Sequence, residues 1–148
     1  EEIIFPALLD FPAPHLRAYP IYTVVAEKLE ASVRLGEQNT RMKDFFDLWF
    51  LSRKFPFEGE LLKDAITRTF ARREMPLPTT LPVALTPEFA ALKAATWAAF
   101  IRRNALAPLE AADMLDAIRA FAWPVMSAAA NSVAFTEHWT PGNGWRLH

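Results

Sequence analysis

Cysteine is absent from the 148 residues. That excludes disulfide staples and thiolate metal sites, and it is compatible with a reducing compartment. Glycine occurs four times, at Gly36, Gly59, Gly142 and Gly144, so there is no glycine-rich phosphate loop. The three histidines, His15, His138 and His148, are scattered through expected loops and tail, and no pair has the spacing of a metal site. No apolar run approaches the roughly 20 residues that span a bilayer, and no signal-peptide pattern opens the chain. It starts Glu1-Glu2 rather than with methionine. The expectation from these features is a cytoplasmic, soluble polypeptide that is a fragment or processed product of something longer. With 16 basic against 17 acidic side chains the net charge is −1, which does not by itself favour nucleic acid.

What is present is apolar mass: 52% hydrophobic and 13% aromatic residues, enough at this length for one domain with its own core. Residues 1–20 read as a short strand, Ile3-Ile4-Phe5 with Ala7-Leu8-Leu9, and an extended connector through Pro12, Pro14 and Pro20. Residues 21–73 read as a three-helix core. Its first helix, 21–35, is closed by Gly36 in a left-handed cap; its second, 41–54, is capped by Asn39 or Thr40; its third runs over 59–73. Residues 74–87 hold Pro76, Pro78, Pro82 and Pro87 and form an extended surface linker. Residues 88–127 supply two helices, one opened by Thr86-Pro87-Glu88 and running to Arg103, the other running from Pro108 to about Met126. Residues 128–148 form an irregular tail docked in part by Trp139 and Trp145. The expected fold class is therefore mainly α, about five helices with one short N-terminal strand. A lone strand leaves backbone groups unpaired, which again points to missing upstream residues.

Two helices carry charge where apolar residues are due. In the first, Ile21, Val24, Val25, Leu29 and Leu35 form one arc, and at 100° per residue Lys28 falls in its middle, while Thr23, Glu27, Glu30 and Arg34 share the opposite face. In the second, Asp44 projects between Leu48 and Leu51, and Arg41 between Leu48 and Phe45. Asp47 lies one turn from Asp44 at the edge of the arc, and Lys43 points to the polar side. An unpaired buried charge is too costly to keep, so these groups either pair with one another or line a wet cleft. Lys28 can snorkel, make a structural ion pair, or neutralise phosphate charge. Asp44 can serve as its ion-pair partner, orient it, bind a metal or accept a proton. The third helix carries Lys63, Arg68, Arg72 and Arg73, of which Arg68 and Arg72, four apart, form a small basic strip, either a solvated face or a contact for phosphates. The five tryptophans fit packing better than a stacking platform for bases.

The block Tyr19-Pro20-Ile21-Tyr22-Thr23-Val24-Val25-Ala26-Glu27-Lys28-Leu29-Glu30-Ala31, followed by Arg41-Met42-Lys43-Asp44-Phe45-Phe46-Asp47-Leu48, resembles the AbiE-type abortive-infection toxins of type IV toxin–antitoxin systems, members of the nucleotidyltransferase superfamily. Thr69 to Arg73 and the tail around Trp139 and Trp145 fit the same pattern more weakly. The resemblance implies the helical half of a nucleotidyltransferase-like fold and transfer of NMP from an NTP, with Mg²⁺, to an acceptor such as tRNA. It implies an antitoxin encoded alongside, and it places Lys28 and Asp44 in the active site with Asp47 as the competing carboxylate. Arg41, Arg68, Arg72 and Arg73 are the candidates for nucleotide or RNA phosphate. The family's Gly-Ser turn and Asp-x-Asp metal pair, which lie upstream of the Ala-Glu-Lys block, have no counterpart in these residues. The expectation is thus a C-terminal portion that is inactive alone and binds no Mg²⁺ by itself. The alternative is a non-catalytic helical module that binds protein or RNA.

Overall fold

The computed structural model describes residues 18–148; the expected strand at residues 3–9 and His15 lie outside them. Six helices and three short strands follow in the order α1 (Ala18–Leu35), α2 (Met42–Lys54), β1 (Phe57–Glu58), α3 (Gly59–Arg72), α4 (Pro87–Leu92), α5 (Ala94–Arg103), α6 (Ala111–Ala130), β2 (His138–Thr140) and β3 (Gly144–Arg146). The fold is mainly α, as its apolar periodicities require.

Helix α6 is the centre of the packing and touches α2, α3, α4 and α5. Met114, Leu115, Ile118, Phe121, Ala122, Val125 and Met126 are all buried, recurring at three- and four-residue steps along the helix. Pro124 sits inside α6 but on its exposed side, where the missing N–H leaves no buried acceptor behind. Helix α1 lies along α3 and also meets α2 and the 3-10 turn Val83–Leu85. These surroundings bury more of α1 than one apolar arc would suggest: Glu30, assigned to the solvent face, is fully buried. Arg34 compensates it from one turn on, its Nε 3.0 Å from Glu30 Oε2.

Local signals hold at several junctions. Gly36 adopts φ 54° after α1, the left-handed region glycine enters without steric cost. Thr86 Oγ1 accepts the Phe89 N–H at 3.2 Å, and Pro87 occupies the first turn of α4, as its fixed φ suits.

Three expectations need correction. The single helix expected over 86–103 is two, α4 and α5, separated at Lys93 (φ −99°, ψ 9°); neither glycine nor proline marks that break. The linker over 74–87 does not stay on the surface, since Ala84 and Leu85 are fully buried in the turn that meets α1, α4 and α6. The tail is not irregular: β2 and β3 form a hairpin, and β1 pairs with β2 to give an antiparallel sheet in the order β1-β2-β3. Its register sets Phe57 opposite Trp139 and Trp139 opposite Trp145.

Both tryptophans do dock, and their indole donors explain where. Trp139 Nε1 donates to the Ser52 carbonyl at 2.7 Å, and Trp145 Nε1 to the Phe121 carbonyl at 2.9 Å. Phe121 lies within 4.9–6.0 Å of the Phe57, Trp139 and Trp145 rings, so the sheet is fastened to α6 through one aromatic cluster. Gly59 makes this possible: a Cβ there would lie 2.5 Å from Phe135 Cδ2 and 2.6 Å from the Glu137 carbonyl oxygen.

Candidate functional site

Helices α1 and α2 meet across a cluster of charge. Lys28 Nζ donates to Asp44 Oδ1 at 2.9 Å and stands 3.3 Å from Asp47 Oδ2. Lys43 Nζ reaches the same Asp47 oxygen at 3.4 Å, and Arg41 approaches Asp44 Oδ2 at 3.7 Å. The cluster grades from inside to outside. The Asp47 side chain is 0% exposed, Lys28 17%, Asp44 21% and Arg41 56%. Residues 44 and 47 share one side of α2 because they are three apart, and Lys28 is delivered to them from the apolar arc of α1.

Asp47 is the inner anchor. Its Oδ1 is buried without a hydrogen-bond partner among the described residues. Burial pushes its carboxyl above the ordinary carboxylate range, against the opposing pull of Lys28 and Lys43. The sequence placed Asp47 at the edge of the apolar arc; instead it is fully buried, because α2 is packed by α1 on one flank and by α5 and α6 on others. Arg41 also differs from expectation. It is the residue preceding the first turn of α2, so it has no helical face, and it projects outward rather than between Leu48 and Phe45. Neither Asn39 nor Thr40 caps the helix with its side chain; Asn39 Oδ1 accepts the Arg41 N–H at 2.7 Å, one step outside it.

The α3 arginines meet different partners. Arg72 and Arg73 clasp the two oxygens of Glu27 at 2.6 and 2.8 Å, and Arg68 pairs with Asp64 on its own helix. Burial works to raise the Glu27 carboxyl, yet the two guanidiniums prevail and hold it below the usual value. Adjacent residues of α1 therefore bind adjacent helices: Glu27 ties down α3 and Lys28 ties down α2. Helical periodicity alone puts Glu27 on the face opposite the apolar arc; the two arginines that hold it lie 45 and 46 residues away.

Beside the cluster a groove of about 410 Å³ runs between the start of α2 and α5, lined among others by Arg41, Lys43, Asp44, Thr96, Phe100 and Arg103. A larger groove of about 540 Å³ lies between α1 and α3, with Tyr22, Asp64, Arg68 and Arg72 on its walls. Among the described residues no group of three His, Asp or Glu side chains is disposed to hold a metal ion. Asp44 and Asp47, both turned onto Lys28, do not fit a two-metal site of the kind that clamps a triphosphate.

Lys28 is thus fixed between two carboxylates of a neighbouring helix, one of which, Asp44, also lines the smaller groove. The model of the nucleotidyl transferase AbiEii toxin family, described as belonging to a type IV TA system, matches residues 1–125. The chain belongs to this family. No curated protein matches it, and no solved structure does. Among the described residues no helix is long and apolar enough to cross a membrane.

Proposed function

We propose that these residues form the helical part of a toxin that transfers NMP from an NTP to an acceptor such as tRNA, in the cytoplasm and in company with a cognate antitoxin. The observation that supports this is Lys28 held between Asp44 and Asp47 where α1 meets α2. In this role Lys28 offsets negative charge on the phosphates as the acceptor hydroxyl oxygen bonds to the α-phosphorus and the α–β bond breaks to release pyrophosphate. The ammonium is a compact point charge, and it acts most strongly where water is thin. Asp44, partly exposed and bordering the groove, is the carboxylate that reaches substrate. Asp47, fully buried, holds Lys28 in position. The two carboxylates do not fit Mg²⁺, so the metal chemistry of such a transfer belongs to the Gly-Ser and Asp-x-Asp elements that these residues lack, and the 148 residues are inactive alone.

Growth arrest by the toxin carrying those elements should disappear with Asp44→Asn or Lys28→Met while the variants remain folded by circular dichroism. Growth arrest retained by a folded Lys28→Met variant removes the lysine from the chemistry. Labelled nucleotide incorporated into RNA by the 148 residues overturns their inactivity. One observation favours a second reading, a non-catalytic module that binds protein or RNA: Lys28 is already satisfied by two carboxylates of its own chain, as a structural ion pair would be.

A further inference from the structure

We propose that the groove between the start of α2 and α5 is a seat for the phosphodiester backbone of a single-stranded RNA, gripped by Arg41, Lys43 and Arg103. The three cations come from two helices and converge on one depression of about 410 Å³. Their positive charge is only partly offset by carboxylates. Arg103 is exposed and has no ion pair among the described residues. Arg41 and Lys43 pair with Asp44 and Asp47 at 3.7 and 3.4 Å, carboxylates they share with Lys28, and they stay 56% and 51% exposed. Counted with Lys28, four cations here face two carboxylates, in a chain whose net charge is −1. Positive charge is thus concentrated where it would meet a polyanion. The first-turn amides of α2 add the positive end of its dipole. Thr40 and Thr96 bring hydroxyls to the rim, and Phe100 and Met42 supply apolar floor.

The larger groove makes a useful contrast. Its Arg68 and Arg72 are paired with Asp64 and Glu27, so greater volume comes with no surplus charge. The shape of the smaller groove also selects between sources of phosphate. It is open, and none of the four glycines lines it, so it lacks the backbone cradle that encloses a free triphosphate. An extended strand, which needs spaced cations rather than a cradle, fits better. Asp44 lines the groove and also holds Lys28, so a strand lying there passes close to the lysine. That orientation rests on the proposed function; the binding itself does not.

The test is fluorescence anisotropy of a labelled single-stranded RNA oligonucleotide with the 148-residue chain, titrated across salt concentration. Three phosphate contacts on a single strand give a log–log salt slope of roughly −2. Arg103→Glu should weaken binding on the order of tenfold and flatten the slope by about 0.7, the share of one phosphate contact. Arg102→Glu makes the same charge change on the next residue, which does not line the groove, and should match the unaltered chain. Folding of each variant is checked by its thermal transition. Absence of RNA binding overturns the proposal, as does equal binding by Arg103→Glu. A loss confined to Arg68→Glu overturns it by moving the strand to α3. Displacement of the RNA by free NTP at equal phosphate concentration overturns it in favour of a triphosphate site. Growth arrest retained by Lys28→Met, with RNA binding intact and lost in Arg103→Glu, overturns the lysine's role while upholding the groove, so the two failures are distinguishable.

Discussion

Lys28→Met removes one charge and keeps most of the aliphatic stem, so it isolates what the ammonium does for the fold. Without it, Asp47 retains one cation, the half-exposed Lys43 at 3.4 Å, and its Oδ1 still has no donor among the described residues. Breaking one side of a buried ion pair costs about 3–5 kcal/mol. Since Lys43 persists and Lys28 is 17% exposed, the low end applies, about 3 kcal/mol. For a chain of this size that is a fall in Tm of roughly 6–12 °C. The pH dependence has a definite sign. Asp47 has a folded pKa above its unfolded value, so between the two the folded state holds more protons and stability falls as pH rises. Losing Lys28 pushes that pKa higher still. The Lys28→Met deficit should therefore be smaller at pH 5 than at pH 8, read as Tm by circular dichroism or as the urea midpoint by tryptophan fluorescence. Adding Asp47→Leu removes the stranded carboxylate and should restore stability, or exceed the parent by about 1–4 kcal/mol. A Lys28→Met variant that melts with the parent, or whose deficit grows on acidification, refutes this account of the cluster. The double variant also bears on function: growth arrest in a stabilised Lys28→Met/Asp47→Leu toxin would favour the non-catalytic reading.

Two further outcomes follow from the same geometry. Gly59→Ala drives a Cβ into the Phe135 ring and the Glu137 and Phe135 carbonyls; because two of these obstacles are backbone, it should cost about 3 kcal/mol or more and detach the hairpin, seen as loss of near-ultraviolet tryptophan signal before global melting. Glu27→Gln should lower stability by about 0.5–1 kcal/mol at pH 7. Its folded carboxyl is depressed, so the gap to the parent should close as pH falls through that value, and a gap that persists at pH 2 contradicts the pairing with Arg72 and Arg73.

The charged cluster was legible because α-helical periodicity is strict: a lysine at the middle of an apolar arc must be met by something, and Asp44 sits at the matching place on the next helix. Helix caps at Gly36 and Thr86 were legible for the same local reason. What escaped was set by distance along the chain. The pairing of Phe57 with Trp139 spans 82 residues, and two- and three-residue strands carry too little alternation to announce themselves. Burial of Asp47 and Glu30 depends on which helices crowd α1 and α2, which no single-helix pattern reports. Arg103 enters the sequence pattern only as the end of a helix; the approach of α5 to the start of α2 puts it in one groove with Arg41.

The clasp between β1 and the hairpin also sets an order of events during synthesis. The helices that carry Lys28, Asp44 and Asp47 end at residue 54, yet Ser52 receives its indole donor from Trp139 and Phe57 its strand partner from the same residue. While residues 60–137 are still emerging, that end of α2 lacks its cover, and closing so long a loop carries an entropic cost that only the finished aromatic cluster repays. The helices bearing the charged cluster are thus made early and secured late, so a ribosome-bound nascent chain would hold them in a loosened state until the Trp139–Trp145 hairpin had cleared the exit tunnel.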